Sequence, residues 1–289
     1  MNSPRMSIPI AAITDEFSFD IDTALDAMAQ IGMTGAELRL IGDRNIIDFK
    51  DDEIASVRER VEERGMTVLS IASPVLKCVL PDAPPIDPRF QQDVFGSAYT
   101  IADQPRLSTR AFEIAEQTGA TIIRVFSYWR TTAPEQCFDR IVAALRDLAD
   151  RAGDRGLIIG LENEHACNIA TGVEAGRLLA ACDHPALKSI WDPANASILG
   201  EVPFPAGYDA LPSDRIVHVH AKDCHVVGQK PTWGPLGEMG IDWRGQIAAL
   251  KRDGYAGAIS LETHWRGPDG DRLRASIICG EKLRTLAAA

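Results

Sequence analysis

The chain alternates short apolar segments with amphipathic segments eight times, and this rhythm constrains its fold more than any other feature. The apolar segments are rich in β-branched residues and nearly free of polar interruptions, as expected for parallel strands buried on both faces. They cover residues 8–13, 35–40, 67–72, 121–126, 157–161, 187–191, 216–220 and 258–261. Eight consecutive strand–helix units predict a parallel sheet that closes into a barrel.

The segments between the predicted strands carry apolar residues at helical spacing. Phe138, Ile141, Val142, Leu145 and Leu148, for example, recur at intervals of three or four, the pattern of a helix with one buried face. Helices are predicted at 21–32, 52–65, 107–119, 134–152, 172–181, 243–253 and 273–286, and the Pro-rich stretch 204–212 predicts a weak helix or a turn. An open doubly wound sheet is the alternative, but no GxGxxG turn follows the first strand. We therefore predict an α/β fold with one (β/α)8 TIM-type barrel domain over residues 1–289.

Two connections are long, at residues 77–105 after strand three and 224–241 after strand seven. Loops of this length in compact domains often cover functional sites. In a parallel barrel both would lie at the C-terminal mouth, where active sites form. We expect them to form walls or lids over a bound molecule.

Composition and charge exclude several classes of partner. The formal net charge of −11 disfavours nucleic acid, because binding to phosphates depends on Lys and Arg. No segment approaches the length of apolar residues that spans a membrane, and the N-terminal segment is a better first strand than a signal peptide. The six cysteines form no CxxC pair, so we expect free thiols in a cytoplasmic protein rather than a zinc ribbon.

Each of the last four predicted strands ends at a side chain that can bind a metal. Glu162 follows LIIGL, Asp192 follows LKSIW, His220 ends IVHVH, and Glu262 follows AISL. Strand ends of a parallel barrel meet at one mouth, so the sequence predicts one divalent cation held by these four residues. Three carboxylates and one imidazole favour Mn²⁺ or Mg²⁺, with Co²⁺ or Zn²⁺ possible, over a closed structural zinc site.

Further polar residues adjoin the predicted ligands. His218 lies two residues before His220 and therefore on the same strand face, so we expect it one layer deeper as a hydrogen-bonding neighbour. Glu37 and Arg39, at the end of strand two, would either line the pocket floor or form a structural ion pair. The predicted substrate-binding residues are His165, Asn195, Lys222 and His264. Such polar groups beside a cation predict a small polyhydroxylated substrate.

The segments GLENEH, WDPAN, HVHAKD, PLGEMGIDW and SLETHW resemble the xylose-isomerase-like barrel superfamily of sugar (phosphate) isomerases and epimerases. The likeness covers essentially the whole chain. It implies that Glu162, Asp192, His220 and Glu262 are the metal ligands on strands five to eight. It also implies that Glu162 and Glu262 face each other across the substrate and transfer protons, so that both are catalytic.

The motifs leave more than one reaction open. Ketose 3-epimerases of the superfamily usually carry a His three residues after the metal Asp, where this chain has Asn195. They also carry an Arg shortly after the strand-seven His, where this chain has Lys222 and His225. The resemblance implies an isomerase or epimerase of carbohydrate metabolism that removes a proton next to a metal-bound carbonyl. The alternative is a dehydratase or lyase of the inosose, dehydroshikimate or 3-keto-glycoside type.

Two further classes share this type of barrel. Apurinic endonucleases hold three metals with more histidines and bind DNA through basic loops, which this acidic chain with six histidines does not match. A sugar-binding barrel without catalysis is the other, but two intact glutamates at the predicted site favour an enzyme. A homo-oligomer is possible for such a barrel.

Overall fold

A computed structural model describes residues 7–90 and 99–289. Eight parallel strands form a closed barrel in which each strand pairs with its neighbours in sequence and the last pairs with the first. The strands are β1 (Ile10–Ile13), β2 (Gly35–Leu38), β3 (Thr67–Ile71), β4 (Ile122–Val125), β5 (Ile158–Glu162), β6 (Leu187–Trp191), β7 (Ile216–Ala221) and β8 (Ile259–Leu261). The predicted (β/α)8 barrel is confirmed.

Helices surround the barrel at the predicted places. They are α1 (Thr14–Phe17), α2 (Ile21–Ile31), α3 (Asp51–Glu63), α4 (Gln104–Thr118), α5 (Phe138–Gly153), α6 (Gly172–Cys182), α7 (Pro193–Ile198), α8 (Trp243–Arg252) and α9 (Arg272–Ala288). The pattern missed the short helices α1 and α7, because one or two turns show no helical periodicity. The Pro-rich stretch contains an irregular helical turn, Pro203–Gly207.

Buried aromatic residues join the barrel to its outer helices. Trp191 at the end of β6 and Trp243 at the start of α8 are both fully buried. The Trp191 Nε1 donates a hydrogen bond to Gln246 Oε1 at 3.0 Å, and Gln246 Nε2 donates to the Pro203 carbonyl at 3.2 Å. The indole therefore gains apolar contact without losing its hydrogen bond, and these contacts fix α8 beside the end of β6.

The two long connections meet above the C-terminal mouth of the barrel. The connection after β7 forms a hairpin of Cys224–Val227 with Lys230–Trp233. In the connection after β3, Arg89 Nη1 donates a hydrogen bond to Gln229 Oε1 of the hairpin turn at 3.3 Å. Residues 91–98 of the first connection lie outside the described residues. The described parts nevertheless stand where the sequence predicts walls of a site.

All six cysteines are buried and form no disulfide. Among the helices of the described residues, none is both long and apolar enough to cross a bilayer. The fold is therefore held by its packed core and hydrogen bonds rather than by covalent cross-links.

A glycine in α6 lies too close to the neighbouring backbone to be replaced. A Cβ at Gly176 would lie 2.1 Å from the carbonyl oxygen of Ala210. Alanine ordinarily favours a helix by about 1 kcal/mol over glycine, but here it must displace backbone. We expect Gly176→Ala to lower the free energy of unfolding by roughly 1–3 kcal/mol, measured by urea denaturation.

The matched control is Gly153→Ala at the end of α5. A Cβ there would lie 3.5 Å from the Ala186 Cβ, an ordinary contact, so this change should be neutral or slightly stabilising. Equal stability of the two variants would contradict the close approach at Gly176.

Candidate metal centre and adjoining cavity

The four predicted ligands converge at the C-terminal mouth of the barrel. Glu162 ends β5, Asp192 follows β6, His220 lies near the end of β7, and Glu262 follows β8. Each offers one ligand atom, and these four atoms all lie within 4.8 Å of one another. All four side chains are buried. The closure of the barrel thus brings together residues that are spread over a hundred positions of the sequence.

Local structure fixes the orientation of the Asp192 carboxylate. As the N-cap of α7, its Oδ1 accepts a hydrogen bond from the Asn195 N–H at 2.9 Å, the usual role of an aspartate at a helix start. The Asn163 side chain accepts from the Asp192 N–H and donates to its carbonyl, both at 2.8 Å. These bonds leave Oδ2 directed toward the other ligands.

Lys222 lies between two of the carboxylates. Its Nζ is 2.8 Å from Asp192 Oδ2 and 2.7 Å from Glu262 Oε2. Burial would lower the pKa of this ammonium, but Asp192 and Glu262 outweigh burial and raise the pKa well above its ordinary value. Lys222 therefore stays charged and neutralises part of the negative charge of the cluster.

Glu37 orients the imidazole of His220. The Nδ1 of His220 faces Glu162 Oε1 at 3.2 Å, while its Nε2 faces Glu37 Oε1 at 3.2 Å. His218 contacts the same carboxylate, with Nε2 2.8 Å from Glu37 Oε1. A carboxylate on the second ring nitrogen is the usual partner of a metal-binding histidine. Burial would raise the pKa of Glu37, but the two histidines hold it well below its ordinary value.

Arg39 has both of the roles that the sequence left open, because it forms structural ion pairs and also lines the pocket. Its guanidinium pairs with Asp15 Oδ2 at 2.8 Å, Glu16 Oε1 at 2.6 Å and Glu262 Oε1 at 2.8 Å, and it also lines the adjoining cavity.

Sequence reasoning missed the roles of Asp15 and Glu16, and it missed Arg124, whose Nη1 lies 3.3 Å from Glu162 Oε2. The available signal for Arg124 was a single cation within an apolar strand.

The charges of this network suit a divalent cation. Six buried carboxylates are connected by ion pairs and hydrogen bonds to three buried Lys or Arg side chains and two histidines. The carboxylates are Asp15, Glu16, Glu37, Glu162, Asp192 and Glu262, the Lys and Arg side chains are Arg39, Arg124 and Lys222, and the histidines are His218 and His220. Negative charge stays in excess even when both imidazoles are counted as cations. An uncompensated buried charge is costly. The convergence of three hard oxygen ligands and one imidazole therefore fits a divalent metal ion.

Burial and neighbouring cations set the state of the two glutamates. Burial would raise the pKa of Glu162, but His220 and Arg124 lower it. Burial would also raise the pKa of Glu262, yet Lys222 and His264 hold it well below its ordinary value. Both carboxylates are therefore ionised at neutral pH, as a ligand or a base must be.

A cavity of about 260 Å³ adjoins the cluster. Its walls include Glu262 and residues from both long connections: Lys77, Arg89 and Phe90 from the first, and Gln229, Lys230, Pro231 and Trp233 from the second. This volume lies just below the usual range for drug-sized ligands, so the cavity suits a molecule of sugar size. A larger cavity of about 840 Å³ lies at the opposite mouth, where the strands begin, away from the converging strand ends.

The predicted substrate-binding residues divide into two groups. His165 and His264 line the cavity, and the His264 ring centroid lies 4.9 Å from that of Trp233. Asn195 is buried behind the wall, where it meets His165 Nδ1 at 2.9 Å and donates to Glu162 Oε1 at 3.4 Å. Lys222 is buried among the ligands. His165 and His264 can therefore contact a bound molecule directly, whereas Asn195 and Lys222 position the side chains that would contact it.

The fold is a closed (β/α)8 barrel whose C-terminal mouth carries a buried cluster of three carboxylates and one imidazole that could hold a metal ion. The sequence matches the profile of the xylose isomerase-like TIM barrel family over residues 25–283. The chain belongs to this family. No curated protein matches it in sequence.

Solved structures share the fold at low identity. A D-allulose 3-epimerase from Methylomonas sp. is 20% identical with a TM-score of 0.66, over 98% of this chain and 95% of that chain. The probable 3-DHS dehydratase AsbF from Bacillus anthracis is 17% identical with a TM-score of 0.69, over 93% and 97%. A xylose isomerase-like TIM barrel/4-hydroxyphenylpyruvate dioxygenase fusion protein is 20% identical with a TM-score of 0.70. That match covers 94% of this chain but only 41% of that chain. At these identities the likeness concerns the fold alone.

Proposed function

We propose that the protein is a divalent-metal-dependent isomerase or epimerase of a small polyhydroxylated carbonyl compound. The observation that carries this proposal is the approach of four ligand atoms, from Glu162, Asp192, His220 and Glu262, to within 4.8 Å of one another beside a cavity of sugar size. Solved relatives of the fold include a sugar epimerase, which supports the same class of reaction.

These four residues would hold the metal ion. When bound, a divalent cation stabilises the negative charge that develops on a carbonyl oxygen as the neighbouring carbon loses a proton. The oxygen-rich ligand set favours Mn²⁺ or Mg²⁺, while the imidazole also admits Co²⁺ or Zn²⁺. Glu37 holds the ring of His220, and Lys222 and Arg124 limit the repulsion between the carboxylates.

Glu162 and Glu262 are the proposed proton-transfer groups. Both lie beside the same nitrogen of His220, with Glu162 Oε1 at 3.2 Å and Glu262 Oε2 at 3.6 Å from Nδ1. One glutamate takes the proton from the carbon beside the carbonyl. The other returns a proton to the opposite face in an epimerisation, or to the adjacent carbon in an isomerisation.

A dehydratase or lyase is the second candidate, and His165 is the observation that favours it. Loss of a β-hydroxyl or a glycosidic oxygen needs a proton donor that can reach the substrate. His165 lines the cavity, and although burial would lower its pKa, Glu164 and Asn195 raise it; Asn195 also replaces the histidine that ketose 3-epimerases usually carry. The relative AsbF, a probable 3-DHS dehydratase, belongs to this second reaction class.

Proton NMR in D₂O distinguishes the candidates. The purified protein is incubated with Mn²⁺ or Mg²⁺ and a panel of ketoses, inososes, 3-keto-glycosides and dehydroshikimate, with EDTA-treated protein as the control. An isomerase or epimerase incorporates deuterium next to the carbonyl and yields a product with the same number of oxygens. A dehydratase or lyase yields a product with a new olefinic or aromatic proton signal. Turnover that persists unchanged after metal removal would refute both candidates.

A further inference from the structure

One wall of the cavity places two cations around a single aromatic ring. Lys77 Nζ lies 4.3 Å from the ring centroid of Phe126 and 5.6 Å from that of Trp129. Arg124 Cζ lies 4.8 Å from the same Phe126 centroid. Both cations line the cavity. We call Lys77, Arg124, Phe126 and Trp129 the cationic wall.

The cations of this wall keep unused hydrogen-bonding capacity. The Lys77 side chain is only 12% exposed, and within residues 7–90 and 99–289 its ammonium has one ion pair, to Glu164 Oε2 at 3.7 Å, and no hydrogen bond. Arg124 is 5% exposed, and its buried Nε has no hydrogen-bond partner in the same described part of the chain. Buried donors are nearly always satisfied in folded proteins, so this wall lacks an acceptor.

The surroundings of the wall would strengthen binding of an anion. Phe126 and Trp129 belong to a separate apolar cluster with Phe90, Ala166, Cys167 and Ile198. Charges attract more strongly in such a weakly polar environment than in water. A neutral hydroxyl could accept a hydrogen bond there but could not compensate the charge of Lys77. Glu164 offsets part of that charge, and Glu162 offsets part of the charge of Arg124 at 3.3 Å from its Nη1, which favours a single negative charge on the ligand.

We propose that the substrate carries a carboxylate, which Lys77 and Arg124 bind while its polyhydroxylated part faces Glu162 and Glu262. This inference rests on the proposed function and narrows it to hydroxy acids of sugar or cyclitol size. The cavity volume of about 260 Å³ limits the ligand to such molecules.

Isothermal titration calorimetry on the Mg²⁺-loaded full chain tests the proposal with matched ligands. D-glucuronate is compared with D-glucose, and quinate with its neutral amide, because the members of each pair share a ring and its hydroxyls and differ mainly in the carboxylate. A charge-assisted contact predicts that at least one carboxylate binds about 10-fold or more tightly than its neutral partner. Equal affinities in both pairs, or no binding of either carboxylate at up to about 10 mM, overturn the proposal.

The variant Lys77→Met separates binding at the wall from binding to the metal ion. Methionine keeps an unbranched apolar stem against Phe126 and Trp129 but removes the charge. We expect the carboxylate preference to fall about 10-fold, with unchanged affinity for Mg²⁺. The control Lys50→Met removes an exposed lysine and should leave the preference intact. A preference that survives Lys77→Met overturns the proposal. If this variant fails to fold, Lys77→Gln, which also removes the charge but keeps a polar end, is measured in its place with the same expected loss.

The proposed function and the carboxylate site at the cationic wall can be refuted independently of each other. Carboxylate preference without any deuterium exchange would refute the proposed function but retain the cationic wall as an anion site. Deuterium exchange on neutral sugars without carboxylate preference would refute the wall and retain the proposed function.

Discussion

Replacing Glu162 by glutamine should reduce deuterium exchange in D₂O from one of the two epimers by about 10²- to 10⁴-fold, the contribution expected of a positioned base. Glutamine preserves the shape of the side chain but cannot accept the proton. Glu262→Gln should have an effect of the same order on the other epimer, because both carboxylates lie beside His220 Nδ1, at 3.2 Å and 3.6 Å. Exchange is followed by proton NMR at a metal concentration that saturates each variant, as determined by calorimetry.

The two-base scheme also predicts an asymmetry between the substrate and its epimer. Each glutamate serves one face of the reacting carbon, so each variant should lose exchange chiefly from the epimer whose proton its missing base would remove. The control Glu59→Gln changes an exposed glutamate of α3. Deuterium exchange from both epimers in this variant should equal that in the wild type. Full exchange in both Glu162→Gln and Glu262→Gln would rule out the two-glutamate scheme.

Replacing Asp192 by asparagine should weaken metal binding by about 100-fold or more, since even residues behind the ligands change metal affinity 10- to 100-fold. Asparagine caps helices as well as aspartate does, so α7 should keep its start. Metal at 1,000 times the wild-type Kd stabilises the wild-type fold by about 4 kcal/mol, and a 100-fold weaker site would retain only about 1.4 kcal/mol. Calorimetry and thermal unfolding with and without metal measure both effects.

Without metal, we expect the order of stability of wild type and Asp192→Asn to be reversed. Burial, together with repulsion from Glu162 and Glu262, raises the pKa of Asp192 in spite of Lys222, so the metal-free fold disfavours its charged form. Lys222 keeps Glu262 as a partner, and loss of the Asp192 charge should therefore raise the stability of metal-free Asp192→Asn above that of metal-free wild type. Asp20→Asn is the matched control, because Asp20 caps α2 in the same manner, accepting from the Thr23 N–H at 2.9 Å, but lies outside the network. An Asp192→Asn protein that binds metal as tightly as wild type would exclude Asp192 as a ligand.

The sequence alone determined the barrel and the convergence of the four candidate metal ligands, because both follow from short-range patterns. Unbroken apolar segments indicate strands buried on both faces, and eight such strand–helix units leave few ways to close a sheet. Once the strands are parallel, their C-terminal ends share one mouth. Glu162, Asp192, His220 and Glu262 therefore had to meet there, and the structure places them together.

Only the tertiary structure decided which groups surround that cluster. Arg39 pairs with Glu262 across 223 positions and His218 with Glu37 across 181, and no periodicity links residues so far apart. The pattern placed Lys222 at a strand end, but barrel register and side-chain rotamer put its ammonium between Asp192 and Glu262. Likewise, the packing of the connection after β3 places the Lys77 ammonium beside the Phe126 ring, which no local pattern predicts. Local sequence fixes which face of a strand a residue occupies, whereas its partners depend on how distant strands and loops pack once the barrel has closed.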